Sequence, residues 1–291
     1  MIRLTPPAAL ALILALAGCG NLTSTAPQPL PSAMPAAPAA SDLAQGAALH
    51  QEALRRLNPP AGQRPDTAEA AALVERAARL GDPEAQLLLA TGLLAEADDD
   101  EDRASAASWL NRAAHQGQSQ AQYRLGRLLE EGSGTPREPA WAAVWFQRAA
   151  ERGQAEAHFA LALLQIAGEG TAQAPAEALA RLTLAERRGV PGVARYRAAL
   201  QPRVPPAEAR RALARVQAET ARGAVAPVDR ALVRFVQSAL ARLGRWNQPV
   251  DGVDGPAVRA ALAEFARAEG RGGAAAYDPG VIDLLRARLR R

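Results

Sequence analysis

The 291-residue chain contains no lysine, so all 34 of its basic residues are arginine. Aromatic residues make up only 4% of it, and there are three histidines, two methionines and a single cysteine. Each scarcity excludes something. One cysteine rules out an internal disulfide, a thiolate metal cluster and, from its position at residue 19, a cysteine transpeptidase. Few aromatics beside abundant alanine argue against a sheet sandwich and for closely approaching helices. His50, His115 and His158 fall in no metal-ligand spacing, and each is expected as a surface or groove side chain. No glycine-rich phosphate loop is present. The acidic run 98–102 lacks the alternation and the glycine of a calcium loop and reads as a solvated connection between helices. The net charge of +4 is unevenly placed: residues 1–226 hold 23 arginines against 23 acids, whereas 227–291 hold 11 against 7. That excess forms no basic stripe interleaved with aromatics, so nucleic acid is not an expected partner.

Residues 1–19, MIRLTPPAALALILALAGC, join a positive start to an apolar run too short to span a bilayer. This is the pattern of a secretory signal over 1–18. Leu16-Ala17-Gly18-Cys19 resembles the lipobox of bacterial lipoproteins. The resemblance implies lipidation of Cys19 and export. With Gly20 rather than aspartate next, it implies an anchor in the outer membrane facing the periplasm of a Gram-negative envelope. Residues 19–40, rich in proline and alanine without helical period, read as a disordered tether.

Beyond the tether the chain repeats itself. Gly81, Gly117, Gly153 and Gly189 lie 36 residues apart, and Ala77, Ala113, Ala149 and Ala185 keep the same register. So do Leu89, Leu125 and Leu161, the pair Trp109 and Trp145, and the turn glycines 132/134 and 168/170. Glycine accepts the left-handed conformation that ends a helix, and Asp82-Pro83-Glu84 supplies a cap, a first-turn proline and a dipole-matched acid for the next. One such helix pair cannot bury its own apolar face, but stacked copies can. The fold class is therefore all-α, an α-solenoid of 36-residue helix pairs over 41–222, with segments 41–57 and 206–222 as capping helices. The motif of two alanines before the closing glycine, with Gly-x-Gly in the turn, resembles the Sel1-like repeats, relatives of tetratricopeptide repeats, over about 67–195. Such solenoids imply a protein partner. Tyr123, Arg124, Arg127, His158 and Phe159 are the candidates to face its groove.

After a short hinge at 223–228, residues 229–291 show a helix with Phe235, Gln237 and Leu240, then Leu243-Gly244, then Asp251-Gly252-Val253-Asp254-Gly255-Pro256, then a helix with Phe265. The pattern resembles the small three-helix peptidoglycan-binding-like domain, and implies peptidoglycan as a partner. Ala266 departs from the glutamine often found there in that family. Arg245, Trp246, Asn247, Asp251 and Asp254 are the candidate wall-binding residues. Two roles stay open for the aspartates, ligand contact or turn scaffold, and two for Trp246, sugar plate or core.

No catalytic constellation, metal site or cofactor motif emerges, so a non-enzymatic envelope adaptor or scaffold is expected. The alternative is a regulatory subunit of a wall enzyme or signalling receptor whose C-terminal module docks protein rather than glycan.

Overall fold

The computed structural model describes residues 28–33, 35–222 and 228–290. The signal segment, Cys19 and residues 223–227 of the expected hinge lie outside them. Among the described residues there are thirteen α-helices, one 3-10 turn and no strand. The helices form two compact units, one from 28–30, 35–121 and 132–136, the other from 31–33, 122–131, 137–222 and 228–290.

The first unit holds α1 (Ala40–Leu57), α2 (Thr67–Arg79), α3 (Pro83–Glu96) and α4 (Asp100–His115). Its core is small-residue packing: Ala53 and Leu57 of α1 meet Ala70, Val74 and Ala77 of α2, with Ala85 and Leu89 of α3. Aspartates start three of these helices. Asp66 accepts from the Glu69 amide, Asp82 from Ala85 at 2.7 Å, and Asp99 from both Glu101 and Asp102. The acidic run is thus not the solvated loop that its composition predicts. Asp99 caps α4 and Asp100 to Asp102 form its first turn, where the helix dipole favours negative charge.

Helix α5 (Ser119–Glu131) contributes residues to both units. The second unit continues with α6 (Pro139–Glu151), α7 (Ala155–Ala167), α8 (Pro175–Arg187), α9 (Val193–Leu200), a 3-10 turn at Gln201–Arg203, and α10 (Pro206–Arg222). It ends with α11 (Arg230–Arg242), α12 (Pro256–Ala268) and α13 (Pro279–Leu289).

The repeat is a repeat of backbone geometry. Gly81, Gly117, Gly153 and Gly189 all have positive φ, between 77° and 99°. In each case the residue after the glycine donates its amide back to the aligned alanine carbonyl: Asp82 to Ala77, Gln118 to Ala113, Gln154 to Ala149, Val190 to Ala185. This is the six-to-one bond that closes a helix C-terminus. The second turn glycine has a different reason. A Cβ on Gly134 would lie 2.2 Å from the Arg103 backbone carbon, and one on Gly170 2.3 Å from that of Pro139, 36 residues further on. The turn therefore passes directly over the start of the preceding repeat's second helix, where no side chain fits.

The C-terminal helices share a core with the repeats of the second unit. Phe235 of α11 packs edge to face on Trp141 of α6, and Trp141 meets Trp145 in the same way at 6.1 Å. Asp229 caps α11 through the Leu232 amide and also takes Arg148 of α6 at 2.5 Å. From α13, the buried Arg286 lies 4.7 Å over the Trp141 ring and forks onto the buried Glu138 at 2.8 and 3.0 Å. Ser32, from the described part of the tether, bonds the same helix through Asp283 and the Pro279 carbonyl.

Candidate functional site

The loop after α11 is built around one buried amide. Gln237, 2% exposed, donates to the Asp251 carboxylate at 2.8 Å and accepts the Gly252 amide at 2.8 Å. Asp251 also accepts the Val253 amide, and its own carbonyl accepts Arg230. Those bonds, the Val253 amide first and Gln237 next, hold the Asp251 carboxyl below its ordinary pKa. Gly252 turns the chain at φ 73°, with Arg230 in the space that a Cβ needs.

Asp254 is engaged as fully. It takes a forked bond from Arg259 and the Tyr277 hydroxyl at 2.8 Å, and Arg259 is the main cause that lowers its pKa. Tyr277 stands in the left-handed region at φ 62°, an unusual conformation for an aromatic residue, and burial followed by its bond to Asp254 pushes its hydroxyl pKa up. Both aspartates thus brace the loop. Val253 of the loop is 64% exposed, and Asp251, Asp254, Arg245 and Asn247 are exposed as well. Trp246 is half-buried, its indole nitrogen enclosed without a hydrogen-bond partner, while Arg245 lies 6.0 Å from the Phe265 ring centre.

The expected groove residues divide. Tyr123 leans on Phe146 at 5.9 Å, and Phe159 on Tyr196 at 5.5 Å, each half-buried. Arg127 is exposed and paired with Glu131, and Arg124 is half-buried, its pKa lowered by burial. His158 does not line a groove. It is 1% exposed, neither ring nitrogen has a partner, and burial, followed by Arg181 and Arg188, lowers its pKa to about 3. The reason lies in the register: Gln86 and Gln122, 36 residues apart and next to the repeat alanines, are buried at the same position. The other two histidines, by contrast, have partners. His50 pairs with Asp82 at 3.1 Å, and His115 shares a 2.8 Å bond with the Asn111 carbonyl.

Sequence reasoning missed a buried charge network. Arg181 of α8, 1% exposed, donates to Glu219 of α10 and to Gln147 of α6. Glu219 also takes Arg230, and Glu177 takes Arg234, both from α11. Burial alone raises the pKa of Glu177, but Arg234, then Arg181, outweigh it and the net direction is down. A signal was available: counting 36 residues on from Trp109 and Trp145 reaches Arg181, a charge where two repeats place an indole. Among the described residues no group of three or more histidine, cysteine or acidic side chains is arranged to hold a metal ion, and no helix is long and apolar enough to cross a membrane.

Comparison with known families agrees with this geometry. Residues 57–82, 83–118 and 119–154 match the Sel1 repeat, and residues 229–271 match the family described as "Putative peptidoglycan binding domain". No curated protein matches the chain. Among solved structures, a protective antigen of uropathogenic Escherichia coli displaying an SLR fold is similar at 20% identity and a TM-score of 0.49, over 70% of this chain and 41% of that one. A Sel1 repeat protein from Oxalobacter formigenes is similar at 32% identity and a TM-score of 0.37, over 42% of this chain and 92% of that one. This chain thus spans 41% of the length of the Escherichia coli antigen. It carries three Sel1 repeats and, toward its C-terminal end, a domain of the peptidoglycan binding family.

Proposed function

We propose that the protein is a non-enzymatic envelope lipoprotein that holds a protein partner beside the cell wall. The helix-pair repeats take the partner, the C-terminal domain takes peptidoglycan, and lipid on Cys19 anchors the chain to the periplasmic face of the outer membrane. The observation that carries the reading is the loop at 251–254 within the domain matched to the peptidoglycan binding family. Its exposed carboxylates hold internal partners that fix the loop, and Val253, Arg245 and Asn247 are exposed on the same domain to meet a ligand with them. The apolar tip beside polar neighbours suits the mixed faces of a glycan. Because α11 packs on α6 through buried rings and its cap Asp229 pairs with Arg148 of α6, wall engagement holds the repeats of the same unit in place as well. Lipid and wall then act as two modest anchors that raise the local concentration of the partner site.

The test uses the soluble chain beginning at Gly20 and protein-free sacculi. Saturable co-sedimentation is expected, weakened about tenfold by Val253→Asp or Asn247→Ala, the loss of roughly one good contact. A folded chain that does not sediment overturns the wall reading and makes the domain a protein dock. In the full chain, Cys19→Ala is expected to move the protein to the soluble fraction. Retention in membranes after a high-salt wash counts against the lipid anchor.

A further inference from the structure

We propose that the cleft between the 167–170 turn and the C-terminal helices is a second ligand site, one that takes the carboxylate end of a peptidoglycan stem peptide. The proposal rests on the wall reading above and adds to it a place and a chemistry. The cleft has a volume of about 550 Å³, inside the range of about 300–1,000 Å³ usual for small-ligand sites. Its apolar surface comes from Pro139, Ala140, Ala167 and Leu289, which are half-buried or exposed, while Trp141 and Phe235 lie sealed beneath them. Around this lie four arginines against two glutamates, so the lining is positive.

The arginines are not equivalent. Arg286 and Arg290 are both committed to Glu138, and Arg137 pairs with Glu169 on the rim. Arg242 is exposed and donates one nitrogen to the Gly168 carbonyl at 3.3 Å, which leaves most of its fork for a ligand. A guanidinium fork beside a small aliphatic surface matches a planar carboxylate that carries a small aliphatic group. Stem peptides of peptidoglycan have this chemistry, being short and ending in alanine with a free carboxylate. Neither the repeats nor the C-terminal domain makes the cleft alone: the first supplies Ala167 and Gly168, the second Leu289 and Arg242.

The experiment is fluorescence anisotropy on the soluble chain from Gly20, with an N-terminally labelled pentapeptide stem ending in D-Ala-D-Ala and with its C-terminal amide. Sacculus sedimentation runs in parallel, and circular dichroism confirms the fold of each variant. The stem is expected to bind, with the amide and the Arg242→Glu variant each weaker by about tenfold or more, as for loss of a charge-assisted pair. Equal affinity for stem and amide overturns the proposal, as does wild-type affinity in Arg242→Glu. Sacculi that bind while the stem does not would sink the cleft and leave the wall reading standing. Failure of both would remove the wall reading, and the cleft with it.

Discussion

Trp141 of α6 and Phe235 of α11 meet edge to face, with ring centroids 5.2 Å apart and planes at 73°. Both are nearly sealed, at 2% and 4% exposure. The joint between repeat and C-terminal domain is therefore core, built like the interior of one domain. Phe235→Ala is expected to cost about 3–5 kcal/mol, as for other buried phenylalanines, and to make 228–290 melt apart from the repeats. Calorimetry checks this, and a single unchanged transition in the variant would refute a shared core.

Arg181 is the charge that replaces a repeat tryptophan. Arg181→Met removes one partner of a buried pair, and a loss of about 3 kcal/mol is expected, near the low end for such pairs because Glu219 keeps Arg230. The double variant Arg181→Met/Glu219→Leu should recover most of that loss, since two well-packed apolar groups replace a desolvated pair. Urea denaturation of both variants reads the difference, and a double variant no better than the single one contradicts it.

His158 makes the fold acid-sensitive. Its folded pKa is about 3 and its ordinary value 6.5, so between these the unfolded chain takes up a proton that the native state refuses. Stability contributed this way is complete above pH 6.5 and falls as pH drops toward 3, by up to about 1.4 kcal/mol per unit. Glu151 works in the opposite sense. Burial raises its folded pKa, and stabilisation of its protonated form is lost as pH rises through that value. The comparison with His158→Leu isolates the histidine: the variant should lose less stability between pH 7 and pH 4.5, and parallel curves would exclude the effect.

The two kinds of repeat glycine should behave differently. Gly189→Ala meets no atom within 4 Å and is expected to cost only the left-handed conformation, about 1–2 kcal/mol. Gly170→Ala adds a clash with the Pro139 backbone to the same conformational cost and should lose distinctly more. Equal losses in thermal denaturation would show that the turn can move away from α6.

Much of this was legible because repeats are local. The 36-residue register, the glycine C-termini and the proline starts follow from short local patterns, whereas the buried Gln237 was implied by the family resemblance alone. The acidic run was legible in composition but not in role, since only the Asp99 side chain on the Glu101 and Asp102 amides shows that a helix starts there. The candidate site was partly legible. The Asp-Gly loop could be located, but which of its side chains are tied down depends on Gln237, Arg259 and Tyr277.

The sequence by itself determined an all-helical chain of stacked pairs, because helix capping and apolar periodicity are written in short windows. Only the tertiary structure decided where the charges are buried and what the C-terminal domain rests on. Arg181 finds Glu219 across 38 residues and Arg286 finds Glu138 across 148. A buried charge is tolerable only beside its partner, and no periodicity along the chain records who that partner is.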